Sequence, residues 1–203
     1  MKKILAVLLS LLLLCSCQKG PDAAEMADAL CRLYVHGDTA VSSILKDWDT
    51  ESIRKTIEEN LHEQMKENLQ AVGAELPDEE SLKAVTDSIL EARKRIPMEA
   101  ELVESDKEKA TVKITIGALD LSAIDAEAAQ SALQAVEGED KASDDYVSLF
   151  IESYLNALQQ GFEEADTEKL NSSFEVSFVK RDGLWLPEDM NGFISALGQL
   201  IRR

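Results

Sequence analysis

The apolar residues of this chain change their spacing along the sequence, and this change most narrowly limits the possible folds. Up to Pro97 they recur every three or four positions, which predicts amphipathic helices. Within 98–116 and 174–186 they alternate with polar residues, which predicts two β-hairpins that each bury one face. The pair Asp182-Gly183 is a strong signal for a tight hairpin turn.

Helices are predicted before, between and after the hairpins. They cover 23–35, a short stretch to 46, 50–72, 78–96, 122–136, 143–165 and 190–201. Ser122 is expected to begin one of them through a capping box with Asp125. The helix 143–165 has the widest apolar arc, so we expect it to be central and largely buried. Together these elements predict one α+β domain over residues 25–203, with amphipathic helices packed on a small antiparallel sheet.

The N-terminus has the form of a lipoprotein signal peptide over residues 1–16. Lys2 and Lys3 precede an apolar run that is shorter than the about 20 residues of a membrane span. The segment 14–17, Leu-Cys-Ser-Cys, resembles a bacterial lipobox. Cys17 follows a small serine, whereas Cys15 follows the bulky Leu14, so Cys17 is the predicted lipidation site.

A lipid anchor on Cys17 would place the protein on the extracytoplasmic face of the cell membrane. One acyl chain binds membranes only marginally, whereas a diacylglyceryl group, with chains such as palmitate, anchors stably. Residues 17–24 would then form a lipidated tether. The alternative is an ordinary cleaved signal peptide, in which Cys17 is an incidental thiol.

The acidic composition limits the partners of the domain. The chain has 39 Asp and Glu against 21 Lys and Arg, a net charge of −18, which argues against nucleic acid and against an anionic lipid surface. Solubility of an exported protein explains this charge equally simply. Once the leader is removed and Cys17 is acylated, Cys31 is the only free cysteine, so no intramolecular disulfide is expected. Its helical position predicts a small buried hydrophobe.

The segment 179–185, Val-Lys-Arg-Asp-Gly-Leu-Trp, carries a family resemblance together with the leader, the helices and the internal hairpin. It resembles a group of uncharacterised lipoproteins of Gram-positive bacteria whose domains are similar to the cystatin-like, nuclear-transport-factor-like α+β fold. The segment 34–38 also looks like their opening helix and cap. The resemblance implies that the Asp-Gly turn joins two late strands and that Trp185 packs on a helix. It implies no established activity, and this chain departs from the fold with only about four strands and with two helices between its hairpins.

Candidate catalytic groups are few. Neither His36 nor His62 belongs to a set with metal-ligand spacing, and both are expected to be structural or solvated. The acidic stretch that follows the helix 122–136 lacks the alternating ligands, central glycine and terminal glutamate of a calcium loop. We therefore expect no metal and no cofactor. The members of that stretch are Glu137, Glu139, Asp140, Asp144 and Asp145.

Aromatic side chains could instead line a ligand cavity, although each also occupies a position expected in the core. The ligand-binding candidates are Tyr34, Trp48, Tyr154 and Trp185; the phenols of Tyr34 and Tyr154 are preferred, because buried phenols need polar partners. Asp47 and Asp49 flank Trp48, where helix capping by Asp49 is the simpler explanation. The leading hypothesis is a non-enzymatic lipoprotein that binds a protein or small ligand at the envelope. The alternatives are a carrier or enzyme with a cavity between sheet and helices, and a purely structural role.

Overall fold

The computed structural model describes residues 20–71, 77–140, 144–167, 169 and 172–202. The leader 1–16 and both Cys15 and Cys17 lie outside these residues. Within them, six α-helices and four strands confirm the predicted α+β class. The elements in chain order are α1 (Ala23–His36), a 3-10 helix (Thr39–Ser43), α2 (Thr50–Ala71), α3 (Glu79–Arg93), β1 (Met98–Ser105), β2 (Lys109–Ile116), α4 (Leu121–Ala135), α5 (Asp144–Glu164), β3 (Ser172–Arg181), β4 (Leu184–Pro187) and α6 (Met190–Leu200).

The two predicted hairpins form one antiparallel sheet in the order β1-β2-β3-β4. The hairpins are joined because β2 pairs with β3, so that Val112 lies between Leu102 of β1 and Val176 of β3. One face of β2 is buried through Ala110, Val112, Ile114 and Ile116, whereas its other face is partly exposed. The alternation of apolar and polar residues thus predicted the buried face of the sheet correctly.

The outer half of the edge strand β1 departs from that pattern. Its register against β2 shifts between Leu102 and Glu104, which places Val103 as an extra residue in the strand. Such a bulge bends and twists an edge strand. Leu102 is 44% exposed and Val103 53% exposed. The alternation of residues 98–102 would direct Leu102 to the core with Met98 and Ala100, and this expectation is wrong.

The helix that packs most closely on the sheet is α1. It contacts β1, β2 and β4 as well as helices α2, α3 and α6, and eight of its residues are buried, Cys31 among them as predicted. Burial raises the pKa of the Cys31 thiol, with a smaller contribution from Asp28, which keeps the thiol protonated. The domain is thus assembled around this first helix.

The expectation that the helix 143–165 is central is wrong. The corresponding helix α5 packs on α4 and α3. Its second half is buried through Ile151, Leu155 and Phe162, but Val147 in its first half is 44% exposed. The wide apolar arc of α5 is buried partly against α4 and partly against α3. A helix can therefore bury such an arc without contacting a sheet.

Helix ends follow local capping rules, with one correction. Asp22 and Glu25 form a capping box before α1, and Gly37 ends the helix in the left-handed conformation at φ 64°. Helix α4 begins at Leu121, where Asp120 accepts a hydrogen bond from the Ala123 amide at 2.9 Å. The predicted capping role of Ser122 is therefore wrong, because the acidic side chain two residues earlier already caps the helix.

Candidate functional site

A groove opens where helices α2, α3 and α6 meet the C-terminal end of α1. It has two adjoining lobes of about 220 and 170 Å³ that share Leu61, Gln64, Arg93, Ile201 and Arg202 in their walls. The combined volume of the two lobes lies at the lower end of the range for small-molecule sites, which is about 300 to 1,000 Å³. Its apolar walls consist of Val35, Ile57, Leu61, Met65, Ile89, Leu119, Leu121, Phe162, Ile194, Leu197 and Ile201.

Two arginines approach each other in the wall shared by both lobes. Arg93 lies in the last turn of α3, and Arg202 follows the end of α6. Burial disfavours the charge of Arg93 and the neighbouring Arg202 repels it, which lowers the pKa of Arg93 to about 10. Arg93 is thus still cationic at neutral pH. Within the described residues, neither guanidinium has a carboxylate partner or a side-chain hydrogen bond.

The other polar groups of the groove are uncharged. Asn60, Gln64 and Asn68 follow one another at intervals of four along α2 and line the groove. Tyr34 of α1 lines the smaller lobe, and desolvation raises the pKa of its phenol. No hydrogen bond from these four side chains to another described residue is present. They therefore leave several donors and acceptors open to a bound molecule.

Arg93, Arg202 and the three amides were not predicted as site residues. A signal for Arg93 exists in the sequence, because it lies four residues after Ile89 and eight after Val85, on the apolar stripe of its helix. A charged residue on such a stripe is unusual unless it has a partner or a ligand. Nothing comparable distinguishes the amides of α2, since exposed amides are common on helices.

The four predicted aromatic candidates lie in different parts of the fold. Tyr34 lines the groove, whereas Trp48, Tyr154 and Trp185 are not part of its walls. Trp48 is half-buried after the 3-10 helix. Trp185 of β4 is only 7% exposed, and the Lys180 ammonium lies 5.4 Å from its ring centroid. Tyr154 of α5 donates a hydrogen bond to Asp125 of α4.

The two histidines have protein partners. The Nε2 atom of His36 lies 2.9 Å from the carbonyl oxygen of Ile96, and that of His62 lies 3.0 Å from the Glu79 carboxylate. Asp49 accepts a hydrogen bond from the Ser52 amide at 3.0 Å, which makes it the cap of α2 as the simpler interpretation held.

Neither a cluster of metal-ligating side chains nor a membrane-spanning helix is found in the part of the chain that the structure describes. Across residues 20–71, 77–140, 144–167 and 172–202, no three His, Cys, Asp or Glu side chains are grouped so that they could hold a metal ion. In the same ranges no helix has both the length and the apolar character of a membrane span.

The fold and groove define a class of protein, an α+β domain with a cationic, helix-lined cleft beside a four-stranded sheet. The chain belongs to the DUF5105 family, a domain of unknown function, which it matches over residues 38–200. Its fold is also that of a candidate lipoprotein, YcdA, from Bacillus subtilis subsp. subtilis str. 168, known from a crystal structure. The TM-score is 0.69 at 18% sequence identity, over 94% of this chain. The match covers 59% of the Bacillus protein, so this chain spans about three fifths of that relative. Among curated proteins none matches the sequence significantly.

Proposed function

We propose that this chain is a lipid-anchored protein on the extracytoplasmic face of the cell membrane, and that its domain binds a partner molecule rather than catalysing a reaction. The anchor is the lipid on Cys17. The binding site is the groove between α2, α3 and α6. The finer resemblance to cystatin-like domains is part of this proposal, and the packing of helix α1 on an antiparallel sheet supports it.

The N-terminal sequence supports the anchor. The leader ends in the lipobox-like segment Leu14-Cys15-Ser16-Cys17, and helix α1 begins at Ala23, only a few residues later. The tether would thus be short, and the domain would stay close to the membrane. The shared fold with a candidate lipoprotein of Bacillus subtilis agrees with this assignment.

The observation that carries the binding role is a set of polar side chains around an apolar cleft that have no partner among the residues the structure describes. The guanidiniums of Arg93 and Arg202, the Tyr34 phenol and the α2 amides converge on one groove. Its walls contain no serine, cysteine, histidine, lysine or carboxylate among the described residues. These are the groups that most often act in nucleophilic or general acid–base catalysis. Desolvation raises the pKa of the Tyr34 phenol, which disfavours the phenolate that a base or nucleophile would need. The groove therefore supports binding over turnover.

A small-molecule carrier is a second candidate, because the apolar walls suit a compact ligand better than a flat protein surface. The carrier or enzyme expected from the sequence would use a cavity between sheet and helices. The groove instead is lined by helices and their adjoining segments, and none of its described wall residues belongs to strands β1 to β4. A partner protein would use the same groove by inserting a side chain into it.

Substitution of the predicted anchor tests the localisation. Cys17→Ala should abolish acyl labelling and move the protein out of the membrane fraction of cells, whereas the matched Cys15→Ala should change neither. The assignment is wrong if Cys17→Ala stays labelled and membrane-bound, or if Cys15→Ala is the variant that loses its label.

A groove-filling substitution tests the binding role. Leu61 contributes to both lobes, so Leu61→Trp should exclude a ligand. The matched control is Leu133→Trp on α4, since Leu133 is 58% exposed and is not part of the groove. Full-length protein purified from its own membranes would be extracted and examined by mass spectrometry. We expect a small molecule with the wild type and the control but not with Leu61→Trp. Equal recovery from all three overturns the proposal.

A further inference from the structure

We propose that the ligand of the groove is an amphiphilic anion, with a carboxylate or phosphate head held between Arg93 and Arg202 and a short apolar tail along the walls. This inference rests on the binding role proposed above. It adds the chemical class of the ligand.

The charge of the groove is opposite to that of the chain. Although the chain contains 39 Asp and Glu, none of the described residues that line the two lobes is acidic. Two of the described arginines lie outside the groove and form ion pairs, Arg32 with Asp38 and Arg54 with Glu58. Among the described residues, the walls of the groove thus combine two guanidiniums with no carboxylate.

Two guanidiniums that have no partner among the described residues lie in one wall. Burial, followed by the repulsion from Arg202, lowers the pKa of Arg93. An anion placed between them would remove the repulsion and accept hydrogen bonds from both. The planar guanidinium donates in a fork that matches the oxygens of a carboxylate or phosphate. The neighbouring Gln64, which lines both lobes, offers an uncharged amide to the same head.

The rest of the groove suits a hydrocarbon tail. Beyond the arginines the larger lobe is bounded by Leu61, Met65, Ile89, Leu119 and Phe162. Each methylene that is buried against these walls favours association, so even a short tail adds substantially to the affinity. A purely inorganic anion would leave these walls uncovered.

A structural role for the arginines is the competing explanation. Arg93 lies in the last turn of α3 and Arg202 follows α6, where positive charge is favourable near the negative end of a helix. Within the described chain, however, neither side chain donates a hydrogen bond to a helix carbonyl, whereas Arg95 does so to Phe162 and Ala165. The two explanations predict different effects of substitution on ligand binding.

The test uses full-length protein in phosphatidylcholine nanodiscs and titration calorimetry with four probes of equal chain length. The probes are octanoate, octyl phosphate, the neutral octanol and the cationic octyltrimethylammonium, and empty nanodiscs give the background. We expect at least one anionic probe to bind about tenfold or more tightly than both octanol and the cation, as loss of a hydrogen bond to a charged group implies. Equal affinity for octanol and both anions overturns the inference.

Arginine variants locate the head of the ligand. Arg93→Gln and Arg202→Gln should each weaken binding of the anionic probe about tenfold, whereas Arg181→Gln on β3 should leave it within twofold, because Arg181 is exposed outside the groove. Arg202 is itself exposed at the C-terminal end, so its variant keeps the test valid even if Arg93→Gln lowers stability. A loss of thermal stability with unchanged affinity in both variants establishes the structural explanation instead.

Further comparisons distinguish a free acid from a membrane lipid as the source of the anion. They also distinguish the binding role of the groove from the anionic class of its ligand. Preference for octanoate indicates a free carboxylic acid, whereas preference for octyl phosphate, with competition by phosphatidylglycerol in the nanodisc, indicates a membrane lipid; both support the anionic class. If Leu61→Trp abolishes probe binding but the arginine variants do not affect it, the groove binds a ligand and the anionic inference is wrong. If no variant affects binding, the groove is not the site.

Discussion

The phenolic hydroxyl of Tyr154 on α5 donates a hydrogen bond to the carboxylate of Asp125 on α4. The Tyr154 ring also stacks on Phe150, with 6.4 Å between centroids and 5° between planes. This contact joins the two helices that separate the hairpins in the sequence. The hydroxyl already has a partner within the protein, whereas the Tyr34 hydroxyl has none among the described residues and lines the groove.

Removal of the Tyr154 hydroxyl should lower the free energy of unfolding by about 1 kcal/mol, the usual contribution of a hydrogen bond at a partly exposed site. Tyr154→Phe keeps the ring and its stacking on Phe150, so the loss reports the hydroxyl alone. Urea denaturation followed by circular dichroism measures it. Asp125→Ala should cost a similar amount, and the double variant should cost less than the sum, because both changes break the same bond.

The same pair predicts a pH dependence. Burial, followed by the hydrogen bond and charge of Asp125, raises the pKa of Tyr154. The contribution to stability is therefore complete below the unfolded value of about 10 and is lost as pH rises through the higher folded pKa. The stability difference between wild type and Tyr154→Phe should narrow above about pH 10. A difference that stays constant to pH 11 contradicts this account.

Asp38 should contribute to stability in the acid range. Burial alone would raise the pKa of its carboxyl, but hydrogen bonds from Arg32 and from the Ala40 amide, with the nearby positive charges, lower it overall. The stabilisation is therefore present above the unfolded pKa of about 3.9 and is lost as pH falls through the folded value. Asp38→Asn keeps a capping oxygen for the 3-10 helix but removes the ion pair with Arg32.

We expect Asp38→Asn to cost about 0.2 to 1 kcal/mol at pH 7, in the range for partly exposed ion pairs. The cost should diminish below about pH 4 as the wild-type carboxylate is protonated. Denaturation at pH 7 and at pH 3 measures both effects. The matched control is Asp28→Asn, since Asp28 lies 4.0 Å from the same arginine. An equal loss in both variants would show that Asp38 has no special role.

Local elements were predictable because residue spacing and capping act over a few positions. The helices and hairpins follow from that spacing, and the helix ends at Gly37 and Asp78 follow the local capping preferences of glycine and aspartate. The central position of α1 was not predictable from the sequence. The width of an apolar arc indicates how much of a helix surface is buried, but it does not indicate which neighbouring element packs on it. The α5 arc was wider, yet it packs on two helices.

The groove was the feature that the sequence predicted least well. It is formed where Tyr34, Arg93 and Arg202 meet, and these residues belong to three helical regions far apart in the chain. These side chains come together only because α1, α3 and α6 pack against one another, and no local sequence pattern specifies that packing. Aromatic side chains were predicted as a class, and only Tyr34 of the four lines the groove.

The turn between β3 and β4 should tolerate asparagine but not alanine. Asp182 and Gly183 both have positive φ, 51° and 86°, as a two-residue type I′ hairpin turn requires. Gly183→Ala should lower the free energy of unfolding by about 1 to 2 kcal/mol, because a β-carbon is strained in this conformation. No other side chain lies within 4 Å of that carbon, so the loss reports backbone strain. Asp182→Asn should change stability by less than about 0.5 kcal/mol, and a larger loss there contradicts the assignment of the turn.

Two helical glycines should respond to alanine with opposite signs. A β-carbon at Gly161 of α5 would lie 2.9 Å from Cγ2 of Ile124 on α4, whereas at Gly198 of α6 it would meet no atom within 4 Å. Alanine favours a helix over glycine by about 1 kcal/mol, so Gly198→Ala should raise the unfolding free energy by up to that amount. Overpacking costs about 1 to 3 kcal/mol, and β-branched Ile124 cannot easily rotate away, so Gly161→Ala should be destabilising by about 1 kcal/mol.

Removal of the obstructing methyl tests the cause of this difference. Ile124→Leu lacks Cγ2, and in its presence Gly161→Ala should cost less than in the wild type, a coupling expected only for residues in contact. Ile124→Leu alone sets the baseline, and chemical denaturation of the four proteins completes the cycle. If Gly161→Ala is equally destabilising with either residue at position 124, the close approach of α5 to α4 at this point is not what requires glycine.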